Sequence, residues 1–235
     1  MKDKINKIKA IAENSRYIPT GESTLRAGIS AIPFVGGTLD HLLFDKANEI
    51  RTRNIEKAIA AISFRLKEIS ENTLNKKWFD SSEAIEMFKQ LIDKIQFEQD
   101  SYKSETLAKI YAISGTKNFS DDPNKFAVLQ KASELTTIQK KILLIINKVN
   151  PVHRAFNGQG LSSTATAIWT DDITNAIKSN PNGVFWSGTL QLNLELEILE
   201  SLNLIRRTNA PLANILGYEI TGLGKLVLKY LITAN

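Results

Sequence analysis

Apolar residues recur every three or four positions through most of this chain, which is the spacing of one buried face of an α-helix. The longest run of this kind covers 39–69, where leucine, isoleucine and alanine keep that spacing over roughly 45 Å of helix. Shorter runs with the same spacing follow at 81–95, 104–113 and 122–135. The pattern predicts a helical bundle with one long helix in the N-terminal part of the chain.

Side chains that commonly cap helices mark where some of these elements begin. Ser81 or Ser82 precedes the second run, and Thr136 and Thr137 precede a fresh run at 138–149. The paired threonines, coming directly after the last helix of the bundle, also indicate a domain boundary close to residue 135.

The chain after residue 135 departs from uniform helical spacing. Its only passage rich in glycine, serine and threonine, 157–166, is typical of a flexible linker. A short helix with an N-cap is expected at 170–178, with acids in its first turn. The run 189–198 alternates as a strand would, but its leucines and glutamates are good helix formers. We therefore expect a helix there that continues to Leu202.

Two short runs near the C-terminus carry the most informative pattern. The first is Leu199-Glu-Ser-Leu-Asn-Leu-Ile-Arg-Arg, and the second is Gly217-Tyr-Glu-Ile-Thr-Gly-Leu-Gly-Lys. They predict strands at 204–207 and 218–221 and a closing helix at 223–232. In order and spacing these runs resemble the winged-helix regulators of bacteria, and the resemblance covers roughly the last hundred residues.

The resemblance implies that the third helix of this domain enters the DNA major groove and that a wing touches the backbone. We therefore expect a mainly α protein, with a helical bundle at 1–135 and a C-terminal winged-helix (α+β) domain with a small β-hairpin at 136–235. The residues that would contact nucleic acid in such a domain are Lys140, Lys141, Lys178, Ser187, Thr189, Gln191, Asn193, Arg206 and Arg207.

The acidic character of the expected third helix weakens the step from this fold to DNA. That helix, 187–202, carries Glu195, Glu197 and Glu200 but neither lysine nor arginine, and the expected wing tip at 208–217 has no basic residue. Phosphate contacts supply much of the affinity of proteins for DNA. The pattern therefore favours a winged helix that contacts protein, or is purely structural, over one that reads a DNA sequence.

Net charge agrees with this preference. Thirty basic and twenty-five acidic residues give a formal charge of +5, divided as +2 over 1–135 and +3 over 136–235. Neither part has the concentrated basic footprint of a strong nucleic-acid binder. A protein partner or self-association is the expected contact, with DNA and a membrane surface as alternatives.

The most apolar window of the chain lies at 25–44. Two short helices there either form a buried hairpin, in which glycines allow close packing, or leave the bundle and enter a bilayer. Each arm is too short to span a membrane alone, which favours the buried form. The segment resembles uncharacterised bacterial helical proteins with a Ser-Ala-Ile-Pro-x-Val-Gly-Gly signature, some of them in phage-defence loci. The bend of this candidate hairpin is formed by Ile32, Pro33, Phe34, Val35, Gly36 and Gly37.

Few residue types that carry catalysis or bind metals are present. The chain has no cysteine and two histidines, which excludes thiol chemistry and argues against a histidine-rich metal site. His153 is placed to cap the end of the preceding helix. Asp171 and Asp172 could hold a divalent cation, although the helix dipole already accounts for acids in a first turn. We expect no cofactor and no small-molecule substrate.

Together these patterns favour a non-enzymatic bacterial regulatory or defence-associated protein whose helical domain and winged helix bind protein. A DNA-binding winged-helix transcriptional regulator is the first alternative. A membrane-perturbing effector that uses the 25–44 hairpin is the second. Because no nucleophile, metal cluster or nucleotide loop is evident, we do not expect an enzyme. The sequence has neither a signal peptide nor a run of about 18 apolar residues, so a cytoplasmic location is expected.

Overall fold

The computed structural model describes residues 49–158, 161–179, 189–208 and 216–234. In these ranges the backbone is mainly helical, with a small four-stranded antiparallel sheet in the C-terminal part. The chain forms two compact units. The first extends to Ser133 and includes Thr233 and Ala234, and the second covers Glu134–Ile232. The candidate hairpin at 25–44 lies outside the described residues.

Five α-helices and one short 3-10 helix lie in the described part of the first unit. The helix predicted at 39–69 is present from Glu49 onward, where its description begins, and the three shorter predicted helices are also present. Their bounds are α1 Glu49–Glu68, the 3-10 helix Glu71–Thr73, α2 Lys76–Phe79, α3 Ser82–Ile95, α4 Ser101–Ser114 and α5 Lys125–Glu134.

Side-chain caps fix where α3 and α4 begin. Ser81 Oγ accepts a hydrogen bond from the Ala84 backbone N–H at 3.2 Å, so Ser81 rather than Ser82 is the cap of α3. Asp100 Oδ1 accepts from the backbone N–H groups of Tyr102 and Lys103 at 3.0 and 3.1 Å. Each bond satisfies a donor that the first turn of a helix leaves without an intrahelical partner.

The core of the first unit forms where α1 packs along α4, with α3 beside both. Helix α1 buries Ile55, Ala58, Ile59 and Ile62, which are the positions that the three-or-four spacing predicts. Full burial of each isoleucine stabilises the fold by about 1.5–3 kcal/mol. An aromatic cluster extends this core, with ring centroids 5.1–6.3 Å apart in tilted or edge-on arrangements. Its members are Trp78, Phe79, Phe88 and Tyr111.

The second unit contains four helices and four strands within the described ranges. The ambiguous run near residue 190 is a helix, as predicted, and the two C-terminal strands lie within one residue of their predicted positions. The sheet order is β1-β2-β4-β3, and every neighbouring pair is antiparallel. The bounds are α6 Thr137–Ile146, β1 Val152–Gly158, β2 Leu161–Trp169, α7 Thr170–Lys178, α8 Thr189–Ser201, β3 Ile205–Thr208, β4 Gly217–Ile220 and α9 Gly222–Ala234.

The prediction of a flexible linker at 157–166 is wrong, because the described residues of this passage belong to the two strands of a β-hairpin. Strand β1 pairs with β2 from Val152↔Ala167 to Gly158↔Leu161. Glycine and serine suggested a linker, but β2 also carries β-branched residues at alternate positions, which favour a strand. The sheet therefore contains two hairpins, where the sequence led us to expect one.

His153 lies in this hairpin and does not cap a helix. Its Nδ1 is 2.9 Å from Thr166 Oγ1 on the opposite strand, so its polar contact is across the hairpin. Thr136, in contrast, caps α6 in a reciprocal arrangement with Gln139. At the start of α7, the cap position is Trp169, whose side chain makes no capping hydrogen bond. The predicted side-chain cap is therefore absent at this point. Trp169 instead packs into the core, where it is completely buried.

The Gly217–Lys225 run owes its pattern to the junction of α8, β3 and α9. Helix α8 ends in a Schellman motif, with Asn203 at φ 59° and the Leu204 N–H donating to the Leu199 carbonyl at 3.0 Å. Thr221 Oγ1 donates to the Asn203 carbonyl at 2.6 Å and accepts from the Gly224 N–H at 2.9 Å. A Cβ on Gly224 would collide with the Leu204 carbonyl oxygen. Thr221 and Gly224 therefore have structural roles at this junction.

Candidate contact surface of the second unit

Helix α8 buries one face and presents a mixed apolar and acidic face to solvent. Its buried face consists of Leu192, Leu196 and Leu199. On the other side the Leu194 side chain is 55% exposed, and Ile198, one turn further along, is partly exposed. Side chains four residues apart on a helix are neighbours. The outer surface of α8 therefore carries an apolar pair next to glutamates.

The first glutamate of α8 is tied to helix α6. Gln139 Nε2 donates to Glu195 Oε2 at 2.9 Å, while Gln139 Oε1 accepts from the Thr136 backbone N–H at 2.9 Å. One side chain thus completes the cap of α6 and holds an α8 carboxylate. Gln139 is only 4% exposed, which explains why both ends of its amide have a partner.

The other two glutamates of α8 hold Arg207 of β3. Arg207 Nε is 2.8 Å from Glu200 Oε2, and its Nη2 is 3.2 Å from Glu197 Oε1. The Arg207 backbone N–H also donates to Glu200 Oε1 at 3.1 Å. Burial lowers the pKa of Arg207, but the nearby Tyr218 phenol and the two carboxylates outweigh it, so the pKa is raised. The guanidinium is therefore charged, and the carboxylates of Glu197 and Glu200 compensate its charge.

Arg206 is held by the neighbouring strand. Its Nε and Nη2 both donate to Glu219 Oε2, at 3.0 and 2.7 Å, and the two residues are direct partners in the β3–β4 register. Two arginines thus meet three carboxylates, those of Glu197, Glu200 and Glu219. The formal charge of this cluster, which we call the α8–β3 cluster, is −1.

The remaining nucleic-acid candidates are dispersed over the unit. Lys140 is 4% exposed in α6, so its ammonium is not presented to a phosphate. Lys178 is exposed at the end of α7, and Lys141, Gln191 and Asn193 are partly exposed. Ser187 and the side chain of Thr189 are not among the described parts of the chain. The arrangement brings Arg206 and Arg207 together with acids, and it does not assemble a basic patch from the described candidates.

A second charged cluster, which the sequence did not reveal, joins the β1–β2 hairpin to α7. Arg154 Nη1 is 2.9 Å from Asp171 Oδ2, and its Nη2 is 2.8 Å from Asp172 Oδ2. The guanidinium also lies 5.3 Å from the Trp169 ring centroid. The hydrogen bond from Arg154 lowers the pKa of Asp171. Both carboxylates thus bind a guanidinium, and nothing near in sequence to these acids signals Arg154 as their partner.

Among the described residues, no group of three or more histidine, aspartate or glutamate side chains is placed to hold a metal ion. Within the same ranges, no helix is long and apolar enough to cross a membrane. No protein-family model, curated protein or solved structure matches this chain.

Proposed function

We propose that the second unit is a winged-helix module that binds protein through α8 and does not read DNA. The winged-helix assignment is supported by the order α6, β2, α7, α8, β3, β4 and by the sheet order β2-β4-β3. In this assignment α8 is the third helix, the β3–β4 hairpin is the wing, and β1 is an additional strand. Fold alone does not define a ligand, so the function is argued from the surface.

The charge of the α8–β3 cluster is the observation that carries the proposal. The arginines nearest to the third helix are each within hydrogen-bond distance of a carboxylate, and the cluster as a whole is negative. A phosphate that approached Arg206 or Arg207 would have to displace Glu219, Glu197 or Glu200. DNA affinity depends on releasing counterions from phosphates by uncompensated cations. The carboxylates of the α8–β3 cluster therefore oppose the binding of DNA phosphates to Arg206 and Arg207.

The apolar part of α8 points to a protein ligand. Leu194 is 55% exposed on the outer face of α8. Base edges and phosphates offer few apolar contacts there, whereas the centre of a protein interface is apolar with charged residues kept to its rim. Leu194 and Ile198 supply such a centre, and the paired glutamates and arginines supply the rim.

The experiment compares Leu194→Lys with Ile232→Lys, because both side chains are about half exposed apolar residues of this unit, at 55% and 52%. Each tagged full-length variant is expressed in the source cell, cross-linked and purified beside the wild type. We expect the wild type and Ile232→Lys to recover the same stoichiometric partner and Leu194→Lys to lose it. Equal recovery by all three proteins would overturn the role of α8.

The proposed setting is a non-enzymatic regulatory or defence-associated bacterial protein in the cytoplasm, in which the helical first unit also contacts protein. It is supported by the residue patterns and resemblances of the sequence. A DNA-binding regulator is the second candidate, because Gln191 and Asn193 of α8 are partly exposed and their amides suit base edges. A membrane effector rests on the 25–44 segment alone.

A further inference from the structure

The two arginines of the α8–β3 cluster lie on opposite faces of the sheet. In the β3–β4 register Arg206 is opposite Glu219. Arg207, the next residue along β3, is opposite Tyr218. Side chains that are directly opposite share a face, and successive side chains of a strand alternate between faces. Arg206 and Glu219 form a neutral pair on one face, while Arg207 meets two carboxylates of α8 on the other. The charge of −1 of the cluster therefore lies on the α8 face.

Glu197 is the less occupied of the two carboxylates on this face. Both oxygens of Glu200 contact Arg207, one through Nε and one through the backbone N–H. Glu197 contacts Arg207 with Oε1 alone, 3.2 Å from Nη2, and its Oε2 has no hydrogen-bond donor among the described residues. The Glu197 side chain is 56% exposed. One oxygen of this carboxylate is therefore accessible to a cation from outside.

The parts of the chain next to this face in sequence bring no second cation to Glu197. The segments 180–188 and 209–215, which precede α8 and follow β3, lie outside the described residues and contain neither lysine nor arginine. Helix α8 itself has no basic residue. The negative charge on this face is therefore not compensated by the loops that adjoin it.

An unsatisfied phenol lies beside the guanidinium that holds Glu197. Tyr218 is completely buried, and its OH has no hydrogen-bond partner within the described ranges. Burial raises the pKa of Tyr218, and the charge of the neighbouring Arg207 partly offsets that rise. A buried hydroxyl without a partner is unfavourable. Arg207 therefore has a second acceptor next to it on the same face.

We propose that Glu197 binds the ammonium group of a lysine on the protein partner of α8. This contact rests on the proposed function, because Leu194, one turn before Glu197, belongs to the apolar centre of that interface. An ammonium is a compact charge that a single carboxylate oxygen can accept, whereas a guanidinium prefers both oxygens, and Arg207 already uses one of them. When the lysine draws Glu197 toward itself, Arg207 Nη2 donates to the Tyr218 phenol instead, which satisfies the buried oxygen. The partner therefore presents a lysine beside an apolar segment.

Zero-length cross-linking tests this contact directly. A water-soluble carbodiimide activates a carboxyl group, and an amine in contact with that group displaces the urea and forms an amide. The tagged full-length chain is treated in the lysate of the source cell, purified, digested and analysed by mass spectrometry. We expect an amide between Glu197 and a lysine of one other protein. No amide at Glu197, or one only to a lysine of the same chain, would overturn the proposal.

Two variants ask whether the carboxylate matters on this face alone. Glu197→Gln and Glu219→Gln each remove one carboxylate from an arginine, but on opposite faces of the sheet. In purifications without cross-linker at about 50 mM salt, we expect Glu197→Gln to recover about fivefold less of the same partner and Glu219→Gln to match the wild type. The difference should shrink at about 500 mM salt, where exposed charges are screened.

Leu194→Lys, purified in the same way, separates this contact from the proposed function. Loss of the partner in Leu194→Lys together with full recovery by Glu197→Gln would leave the role of α8 standing and overturn the lysine contact. Equal recovery by the wild type and all three variants would overturn both.

Discussion

Arg207 of β3 forms an ion pair with Glu200 of α8, in which Nε lies 2.8 Å from Oε2. The same carboxylate accepts the Arg207 backbone N–H through its other oxygen, at 3.1 Å. Both carboxylate oxygens of Glu200 therefore contact Arg207 and join the helix to the strand. The positive charge of the arginine is compensated within the unit. In the proposed winged-helix assignment these two elements are the third helix and one strand of the wing, so the contact affects what this surface can bind.

Thr221 is expected to stabilise the junction that gives the C-terminal run its pattern. Thr221→Val removes the cap of α9 and the hydrogen bond to the Asn203 carbonyl, and should lower the free energy of unfolding by about 1–2 kcal/mol. The matched control is Thr208→Val, because Thr208 Oγ1 is buried and has no hydrogen-bond partner in the described chain. Urea unfolding measures both. Equal losses in the two variants would contradict this account of Thr221.

The two glycines of α9 should respond to alanine in opposite ways. Gly224→Ala forces a Cβ against the Leu204 carbonyl oxygen and should cost about 1–3 kcal/mol. Gly222→Ala places its Cβ in open space and should be neutral or stabilise by up to about 1 kcal/mol, since alanine favours a helix. Thermal unfolding of the two variants decides the matter. A neutral Gly224→Ala would show that the junction is looser than described.

The hydroxyl of Tyr111 makes no hydrogen bond within the described part of the chain. Its side chain is fully buried, its OH has no hydrogen-bond partner in the described chain, and burial raises its pKa. Tyr111→Phe keeps the ring contacts and removes an unsatisfied polar atom, so stability at neutral pH should be unchanged or higher by about 1 kcal/mol. The raised pKa gives stability that is present below the ordinary tyrosine pKa of about 10 and lost as the pH rises further. Urea unfolding at neutral and alkaline pH should show that Tyr111→Phe lacks this alkaline loss. A clear loss of stability at neutral pH would mean that the hydroxyl has a partner.

Asp171 should make the second unit more sensitive to acid. Its pKa is lowered by the hydrogen bond from Arg154, so its contribution is present above the ordinary aspartate pKa of about 3.9 and is lost as the pH falls through the lowered value. Because the carboxylate is half exposed, Asp171→Asn should cost less than about 1 kcal/mol at neutral pH. Urea unfolding of both proteins from neutral to acidic pH measures the difference. A difference that grows toward acidic pH would contradict the ion pair.

Elements with a strong local signal were predictable from the sequence. The helices followed from apolar spacing and from caps such as Ser81 and Thr136, and β3 and β4 followed from the short apolar runs beside Arg206 and Tyr218. The β1–β2 hairpin was missed because glycine and serine near its turn hid the alternation of Thr164, Thr166 and Ile168. Local composition favoured a loop, while pairing with a neighbouring strand favoured the sheet.

The candidate surface was predictable only in part. The acidic nature of α8 could be counted from the sequence, and the expectation of weak phosphate contacts rests on it. The pairing of Arg207 with Glu197 and Glu200 depends on β3 folding back beside α8, and that of Arg154 with Asp171 depends on β1 lying beside the start of α7. Such partners are set by tertiary structure, and residue spacing alone does not reveal them.

The central claim is that the α8–β3 cluster keeps the second unit from binding DNA. Fluorescence anisotropy of a labelled duplex of mixed sequence tests it, with salt raised from about 50 mM to 200 mM. The proteins compared are the wild type, Arg206→Ala/Arg207→Ala, and Glu197→Gln/Glu200→Gln/Glu219→Gln. We expect no binding by the first two, and weak, salt-sensitive binding by the third, whose arginines lose their acidic partners. Salt-sensitive binding by the wild type that disappears in Arg206→Ala/Arg207→Ala would contradict the claim.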